Sequence, residues 1–383
     1  MLLCLEARDW LAADSDGGGV WVCEGWVCLL ELGELLEQCI ELSIRHDGVR
    51  VCVVRSVGPR QQIPEFVDAF LVAHGAILIE IVSSGAPRAI IQRMSAQIID
   101  GKALATQFRE QVAQRAATMR GRGFAPRLDA LLVESGDNGA RVYAQNQART
   151  CDAIGIEYTL HTLPSGSGQR EIEARVRSLN DDEEVHAIMV HMPMPEDVDA
   201  YHIKELIDPV KDVEGVNPAN IGNVVYGHSM RAPCTALATM RLIDTVVDDL
   251  KGKRCVVVGA SAVVGRPIAV LLMQREATVI SCNKYTDGLK ELCRSADILI
   301  PAAGVPHLIK ADMVREGAVV VDVGVNRIMD EAGNTRTVGD VDFEPVSQIA
   351  GHISPVPGGV GPMTVAVLLH NVIEVAEERY ENR

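Results

Sequence analysis

One stretch, CVVVGASAVVGRP at residues 255–267, constrains the fold more than any other part of the chain. Its apolar run 255–258 reads as a buried strand that breaks at Gly259, and Gly265 and Pro267 then open an apolar helix over 268–273. A strand, a tight turn and a helix N-terminus, in that order, present backbone N–H groups and the positive end of a helix dipole to a phosphate. The spelling departs from the usual dinucleotide fingerprint, because Ser261 stands at the second glycine position. Gly259, Ala260, Ser261, Gly265 and Arg266 are the candidate cofactor residues of this turn. An ordinary βα turn has the same outline, so the stretch alone leaves both readings open.

A second apolar run, 277–281, ends close to Asn283 and Lys284, where a dinucleotide fold meets the adenosine ribose. An acidic residue there suits NAD, whereas a cation suits the 2′-phosphate of NADP. Lys284 therefore tilts the expectation to NADP, the alternative being a solvated surface lysine.

The 383 residues, 48% of them hydrophobic, suffice for two or three domains with separate cores. A formal charge of −16 argues against nucleic acid or an anionic membrane surface as partner. No apolar run reaches the ~20 residues of a membrane span. The start, MLLCLEARDW, lacks the basic region of a secretory signal, so the expected location is the cytoplasm. Five of the ten cysteines fall before residue 53, and none forms a CxxC pair or a Cys/His array of zinc spacing. Reduced thiols and no metal site are expected.

Residues 1–93 read differently from the rest. They hold all three tryptophans, a glycine run at 17–19 and no assignable motif. An appended extension is expected; a small interaction domain, supported only by strand-like runs at 51–54 and 76–82, is the alternative. A short strand and an amphipathic helix follow Met94. Strands at 128–133, 157–163 and 185–190 then alternate with helices at 140–154 and 169–179. After 233–235 a helix running to about Asp249 leads to a second series, with strands at 255–258, 278–281, 298–302 and 319–323 and a final helix at 365–379. Such alternation implies α/β architecture with mainly parallel sheets covered by helices. Ligands in such folds sit at the carboxyl ends of strands, so residues 135–143, 191–195 and 211–218 should converge on one cleft.

Residues 94–383 resemble the bifunctional methylenetetrahydrofolate dehydrogenase/methenyltetrahydrofolate cyclohydrolase family. The carrying segments are IIDGK (98–102), KDVEG (211–215), PCT (233–235), GASAVVGRP, DVGVNR (322–327), GDVDF (339–343) and PVPGGVGPMT (355–364). The resemblance implies a folate-binding catalytic domain at 94–235, a Rossmann-like NADP-binding domain at 236–355, and a C-terminal segment at 356–383 that returns to the first. It implies a tetrahydrofolate one-carbon derivative as substrate, NADP as cofactor and a homodimer. It also assigns Val325 to the cofactor and Pro357, Gly358 and Gly359 to the folate. The glycines of that decapeptide permit positive φ and close backbone approach to a ligand, while its prolines fix the turn.

Four departures fall on the expected folate cleft. Tyr143 and Gln147 lie four apart on one helix and share a face. In the family this pair is Tyr-x-x-x-Lys, the Tyr packing on the folate and the Lys assisting hydrolysis. Glutamine hydrogen-bonds but exchanges no proton near neutral pH. His191 stands where the family has the Gln that partners the Lys, Glu214 replaces an aspartate placed against the pterin, and Ala140 replaces a serine. Dehydrogenation needs positioning and a cofactor more than a protein acid or base. It is therefore expected to survive, with cyclohydrolase activity weakened or lost. The alternatives are the full bifunctional enzyme making 10-formyltetrahydrofolate and a folate-binding pseudoenzyme. His191 is expected to fill space or bind folate, or else to take over the role of the lysine.

Overall fold

The computed structural model describes residues 95–134, 138–228, 231–329 and 333–382, together with the backbone of four strands before residue 44. The chain divides into two compact units, Met1–Ala96 and Gln97–Arg383. In the first, β1 (Leu11–Ser15) pairs antiparallel with β2 (Gly18–Val22), and β3 (Trp26–Leu32) with β4 (Leu36–Ser43). The strand-like runs at 51–54 and 76–82 lie outside the described residues.

The second unit opens with β5 (Gln97–Ile98) and α1 (Gly101–Gly121), whose start is capped by the Asp100 carboxylate accepting from the Ala103 N–H at 2.9 Å. A parallel three-stranded sheet follows: β6 (Arg127–Val133) lies between β7 (Glu157–Leu163) and β8 (Ala187–Val190). Its connections are α2 (Asn138–Ile154) and α3 (Gln169–Asp181), and α4 (Ala200–Leu206) packs on α3. Then come α5 (Pro218–Tyr226) and α6 (Cys234–Ile243).

The second sheet contains β9 (Arg254–Val258), β10 (Thr278–Cys282), β11 (Ile298–Pro301) and β12 (Val319–Val320). Helix α7 (Gly265–Gln274) follows β9 and α8 (Leu289–Arg294) follows β10. A side hairpin, β13 (Asn326–Met329) with β14 (Thr335–Val338), and α9 (Phe343–Ser347) lead to β15 (His352–Ile353). The order is β10-β9-β11-β12-β15-β5, every pair parallel. Val256, Val257, Ile298, Leu299 and Ile300 are all buried, as strands covered on both faces require. Strand β5 opens the segment that leads to the three-stranded sheet, yet it pairs with β15 at the edge of the other one. The second unit thus ties its two sheets together at its first strand.

The final helix, α10 (Val360–Glu381), packs on α1 and α6 and touches β6 and β8. By length and composition it could cross a membrane, but 61% of its apolar window is buried inside this unit. Its composition is that of a core helix: Ala366, Leu369, Val372, Ile373 and Ala376 are fully buried.

Among the boundaries that differ from the sequence reading, three have a local cause. Helix α6 ends at Ile243 rather than near Asp249, where the Thr245 hydroxyl donates to the Leu242 carbonyl at 2.7 Å. Strand β12 stops at Val320 as its pairing with β15 ends: on that side the Asp322 N–H turns to the Ser354 hydroxyl at 2.8 Å. Helix α10 starts at Val360, five residues early, since Pro362 falls in its first turn where no intrahelical N–H is needed. The cysteines Cys151, Cys234, Cys255, Cys282 and Cys293 are buried free thiols.

Candidate active site

The cofactor turn is built by excluding side chains. Gly259 has φ +118, and a Cβ there would overlap the Ala302 carbonyl; a Cβ on Gly265 would overlap the carbonyl of Gly259. The two glycines let β9, its turn and α7 close on one another, leaving the cradle that the phosphates of a dinucleotide fit. Ser261, the departure from the fingerprint, serves the turn itself: its hydroxyl accepts from the Gly265 N–H at 3.4 Å and its carbonyl from the Arg266 N–H at 3.1 Å. Arg266 is exposed at the first turn of α7, and Ala260 is half-buried. Lys284 lies beyond the end of β10 with its ammonium 4.9 Å from the Tyr285 ring centroid, and both side chains are exposed. Val325, 66% exposed, follows β12. All these residues stand at the carboxyl ends of the parallel strands, as the topology requires.

Two buried aspartates, quoted within motifs but given no role by sequence reasoning, hold the neighbouring loops. Asp340 accepts from the N–H groups of Ala303 at 2.6 Å, Gly304 at 2.9 Å and Val305 at 3.0 Å, and from Asn326 Nδ2 at 2.9 Å. Asp322 accepts from Gly324 at 2.9 Å, Asp340 at 3.1 Å and Val341 at 2.9 Å. Burial pushes the Asp322 carboxyl up to about 7, against these three donors that favour the anion. Asp322 thus locks DVGVNR to the backbone of GDVDF, and Asp340 locks GDVDF to the backbone of the loop after β11 and to the Asn326 side chain.

Ser354 carries this frame into the PVPGG turn. Pro357 is exposed, Gly358 has φ +116, and Gly359 is buried against α1, where a Cβ on Gly101 would overlap the Gly359 carbonyl. The turn thus joins the cofactor sheet to the first helix.

The folate-side candidates gather at the end of the smaller sheet. Tyr143 and Gln147 project from one face of α2, and His191 directly follows β8, its N–H donating to the Leu131 carbonyl at 2.8 Å. The rings of Tyr143 and His191 meet edge to face, centroids 5.8 Å apart. Although 43% of Tyr143 is exposed, its surroundings push the phenol up to about 12, by removal from water first and then through Glu214 and Cys234. Burial alone brings His191 down to about 4, so its imidazole is neutral at physiological pH.

Gln147 is 3% exposed, and its neighbours are unlike those of a water-handling group. Its Nε2 donates to Met189 Sδ on β8 at 3.1 Å, and its Oε1 lies 3.5 Å from the Tyr158 hydroxyl on β7. That hydroxyl is also 3.4 Å from His191 Nε2. Burial pushes the Tyr158 phenol well up, so it keeps its proton. Tyr158 and Met189 were not singled out in the sequence; their meeting depends on β6 pairing Leu128 with both Tyr158 and Ala187.

Glu214 is placed by a loop that bonds mostly to itself. Lys211 of KDVEG does not reach the cleft: it is fully buried, and its ammonium donates to the Leu179, Asn180 and Asp182 carbonyls at 2.9, 2.6 and 2.7 Å, closing the end of α3. Asp212 accepts from the N–H groups of Gly215 at 3.1 Å and Asn217 at 2.8 Å, and from Asn220 Nδ2 at 2.9 Å. Asn371 of α10 donates to the Val213 carbonyl at 2.8 Å. Glu214 itself is half-buried; removal from water and the Asp212 carboxylate push it up to about 7, opposed by Lys204 and the Val190 N–H. Tyr143, Gln147, His191 and Glu214 thus form one cluster, while the cofactor candidates form another along the larger sheet.

Comparison with known proteins gives the same division. The tetrahydrofolate dehydrogenase/cyclohydrolase catalytic domain matches residues 99–214, and the NAD(P)-binding domain of the same family matches residues 233–380. The chain belongs to the tetrahydrofolate dehydrogenase/cyclohydrolase family. The bifunctional protein FolD of Moorella thermoacetica is 44% identical over 283 residues, 74% of this chain and 99% of that protein. The FolD crystal structure from Campylobacter jejuni has a TM-score of 0.71 at 40% identity, covering 74% of this chain and all of that one. The Trypanosoma brucei enzyme, solved with NADP and an inhibitor, has a TM-score of 0.70 at 32% identity, covering 75% of this chain and 99% of that one. The two-domain α/β fold with a Rossmann-like cofactor domain is the fold of this family.

Proposed function

We propose that the chain oxidises 5,10-methylenetetrahydrofolate to 5,10-methenyltetrahydrofolate with NADP, and that hydrolysis of the product is weak. The observation that carries the second half is the burial of Gln147, with its amide spent on a thioether. The first half is supported by the glycine cradle of the cofactor turn and by relatives named as bifunctional FolD.

Gly259, Ala260, Ser261, Gly265 and Arg266 would hold the dinucleotide phosphates, Lys284 the 2′-phosphate, and Val325 would pack on the cofactor. NADP, when bound, supplies the hydride acceptor. Tyr143 offers its ring to the aromatic portion of the folate, Pro357, Gly358 and Gly359 form a wall close to the cofactor, and Glu214 meets the pterin. Such positioning is what hydride transfer asks of a protein. Hydrolysis asks for an activated water and a proton carrier, and general acid–base catalysis typically contributes about 10²–10⁴-fold. Gln147 exchanges no proton, so that contribution is largely lost. The working form is a homodimer in the cytoplasm.

Turnover tests this reading. The full chain, given methylenetetrahydrofolate, is expected to form NADPH from NADP faster than NADH from NAD. Folate binding with no reduced cofactor would instead make it a binding pseudoenzyme.

A further inference from the structure

Gln147, Tyr158 and His191 share a single hydroxyl proton, and counting donors fixes its direction. Gln147 donates to Met189 Sδ at 3.1 Å, which leaves its Oε1 towards Tyr158. The reverse orientation would set the amide oxygen against a sulfur that has no proton to give. A buried amide oxygen requires a donor, and the Tyr158 hydroxyl at 3.5 Å is the one provided. A phenol donates once. If its one proton goes to Gln147, the Tyr158 hydroxyl is left to accept across its 3.4 Å contact with His191 Nε2, which calls for the imidazole proton on Nε2. Both bonds are long, as catalytic hydrogen bonds often are before a ligand closes the site.

We propose that Tyr158 is a positioning residue that fixes His191 as the Nε2–H tautomer, leaving the Nδ1 lone pair for the cleft, and that the slow methenyl hydrolysis left to this chain passes through Nδ1. The second clause rests on the substrate proposed above. As a water oxygen bonds to the methenyl carbon, one water proton moves to Nδ1. The imidazolium delivers it to N5 as the C–N5 bond breaks with its electron pair going to N5. The remaining hydroxyl proton leaves to solvent as the N10 formyl C=O forms, so one proton is released per 10-formyl product.

The surroundings suit a neutral imidazole. Tyr143 and Cys151 on α2 and Tyr158 on β7 are all pushed up by burial and stay protonated, while Glu214, in the loop after β8, titrates at about 7. His191, held at about 4, is far from the operating pH, which makes it a slow base and matches weak hydrolysis.

Nitrogen-15 NMR of the imidazoles in the full chain tests the tautomer, His191 being assigned by its loss in His191→Gln. The expected spectrum has the proton on Nε2 and a bare Nδ1 from about pH 6 to 8. Tyr158→Phe keeps the ring packing and is expected to mix the tautomers. Gln147→Leu frees the Tyr158 proton for Nε2 and is expected to move the imidazole proton to Nδ1. With methenyltetrahydrofolate supplied directly, and the rate normalised to NADPH formation from methylenetetrahydrofolate in a parallel assay, hydrolysis is expected to fall about tenfold in Tyr158→Phe and to the uncatalysed rate in His191→Gln. A wild-type Nδ1–H tautomer, a spectrum indifferent to Tyr158→Phe, or unchanged hydrolysis in His191→Gln would overturn the proposal. Absence of NADPH formation would overturn the assigned dehydrogenase instead, with the spectrum still deciding the tautomer.

Discussion

The two halves of the second unit hold their candidate sites by different physical means. In the cofactor half the surface is backbone: Gly259 and Gly265 remove side chains, and Asp322 and Asp340 pin the adjoining loops through N–H groups. In the folate half the surface is side chain: Tyr143, Gln147, His191 and Glu214 come from α2, the end of β8 and one loop. The departures from the family pattern fall in the second half. Backbone-built sites forbid substitution sterically, whereas side-chain sites allow one reaction to be tuned apart from another.

The largest expected effect would break the first half. Gly259→Ala puts a Cβ into the Ala302 carbonyl at φ +118, and a displacement of about 1 Å can cost ~100-fold in rate. NADPH formation is expected to fall by at least that factor in steady-state assays, with folate binding retained by calorimetry.

Next comes Asp340→Asn, which sets an amide N–H₂ among four donors. A stability loss of about 2 kcal/mol, from buried groups left unsatisfied, is expected in denaturant titration, together with a raised KM for NADP.

A smaller change sharpens the second half. Gln147→Lys restores the ionisable group, and burial lowers a lysine towards the pH range where it exchanges protons. Hydrolysis relative to NADPH formation is expected to rise about tenfold. An unchanged ratio would show that Met189 and Tyr158, rather than the missing amine, limit hydrolysis.

The smallest effect concerns pH. The Glu214 carboxyl, raised from 4.5 to about 7, prefers its protonated form in the folded state. Its contribution to stability is therefore present below about pH 4.5 and lost as pH rises through about 7. Glu214→Gln is expected to stabilise the fold above pH 7 by on the order of 1 kcal/mol, discounted for partial exposure. In the proposed role of Glu214 against the pterin N–H groups, the ionised carboxyl is the better acceptor, so wild-type folate affinity is expected to rise as pH passes about 7, and the variant to lose that dependence.

The legibility of the sequence follows the same division. The cofactor turn is readable because its residues are consecutive and its glycines have one physical use. The alternation of β6–β8 and of β9–β12 with helices was likewise visible as apolar runs. The pairing of β5 with β15 was not, because two-residue strands carry no periodicity and their partners lie 255 positions apart at His352 and Gln97. Gln147 and His191 stood out as departures, but their link through Tyr158 needed the register of three strands. Asp322 and Asp340 lie inside quoted motifs, and only the fold reveals that they face backbone rather than ligand. Lys211 reads as a cleft residue in sequence, and its ammonium lies instead under α3.

The most direct test follows NADPH and the methenyl product together by absorbance, with the full chain, methylenetetrahydrofolate and NADP. The expected result is methenyl accumulating nearly in step with NADPH. NADPH rising while methenyl stays low would contradict the account, because it would mean that hydrolysis runs at full speed without the lysine.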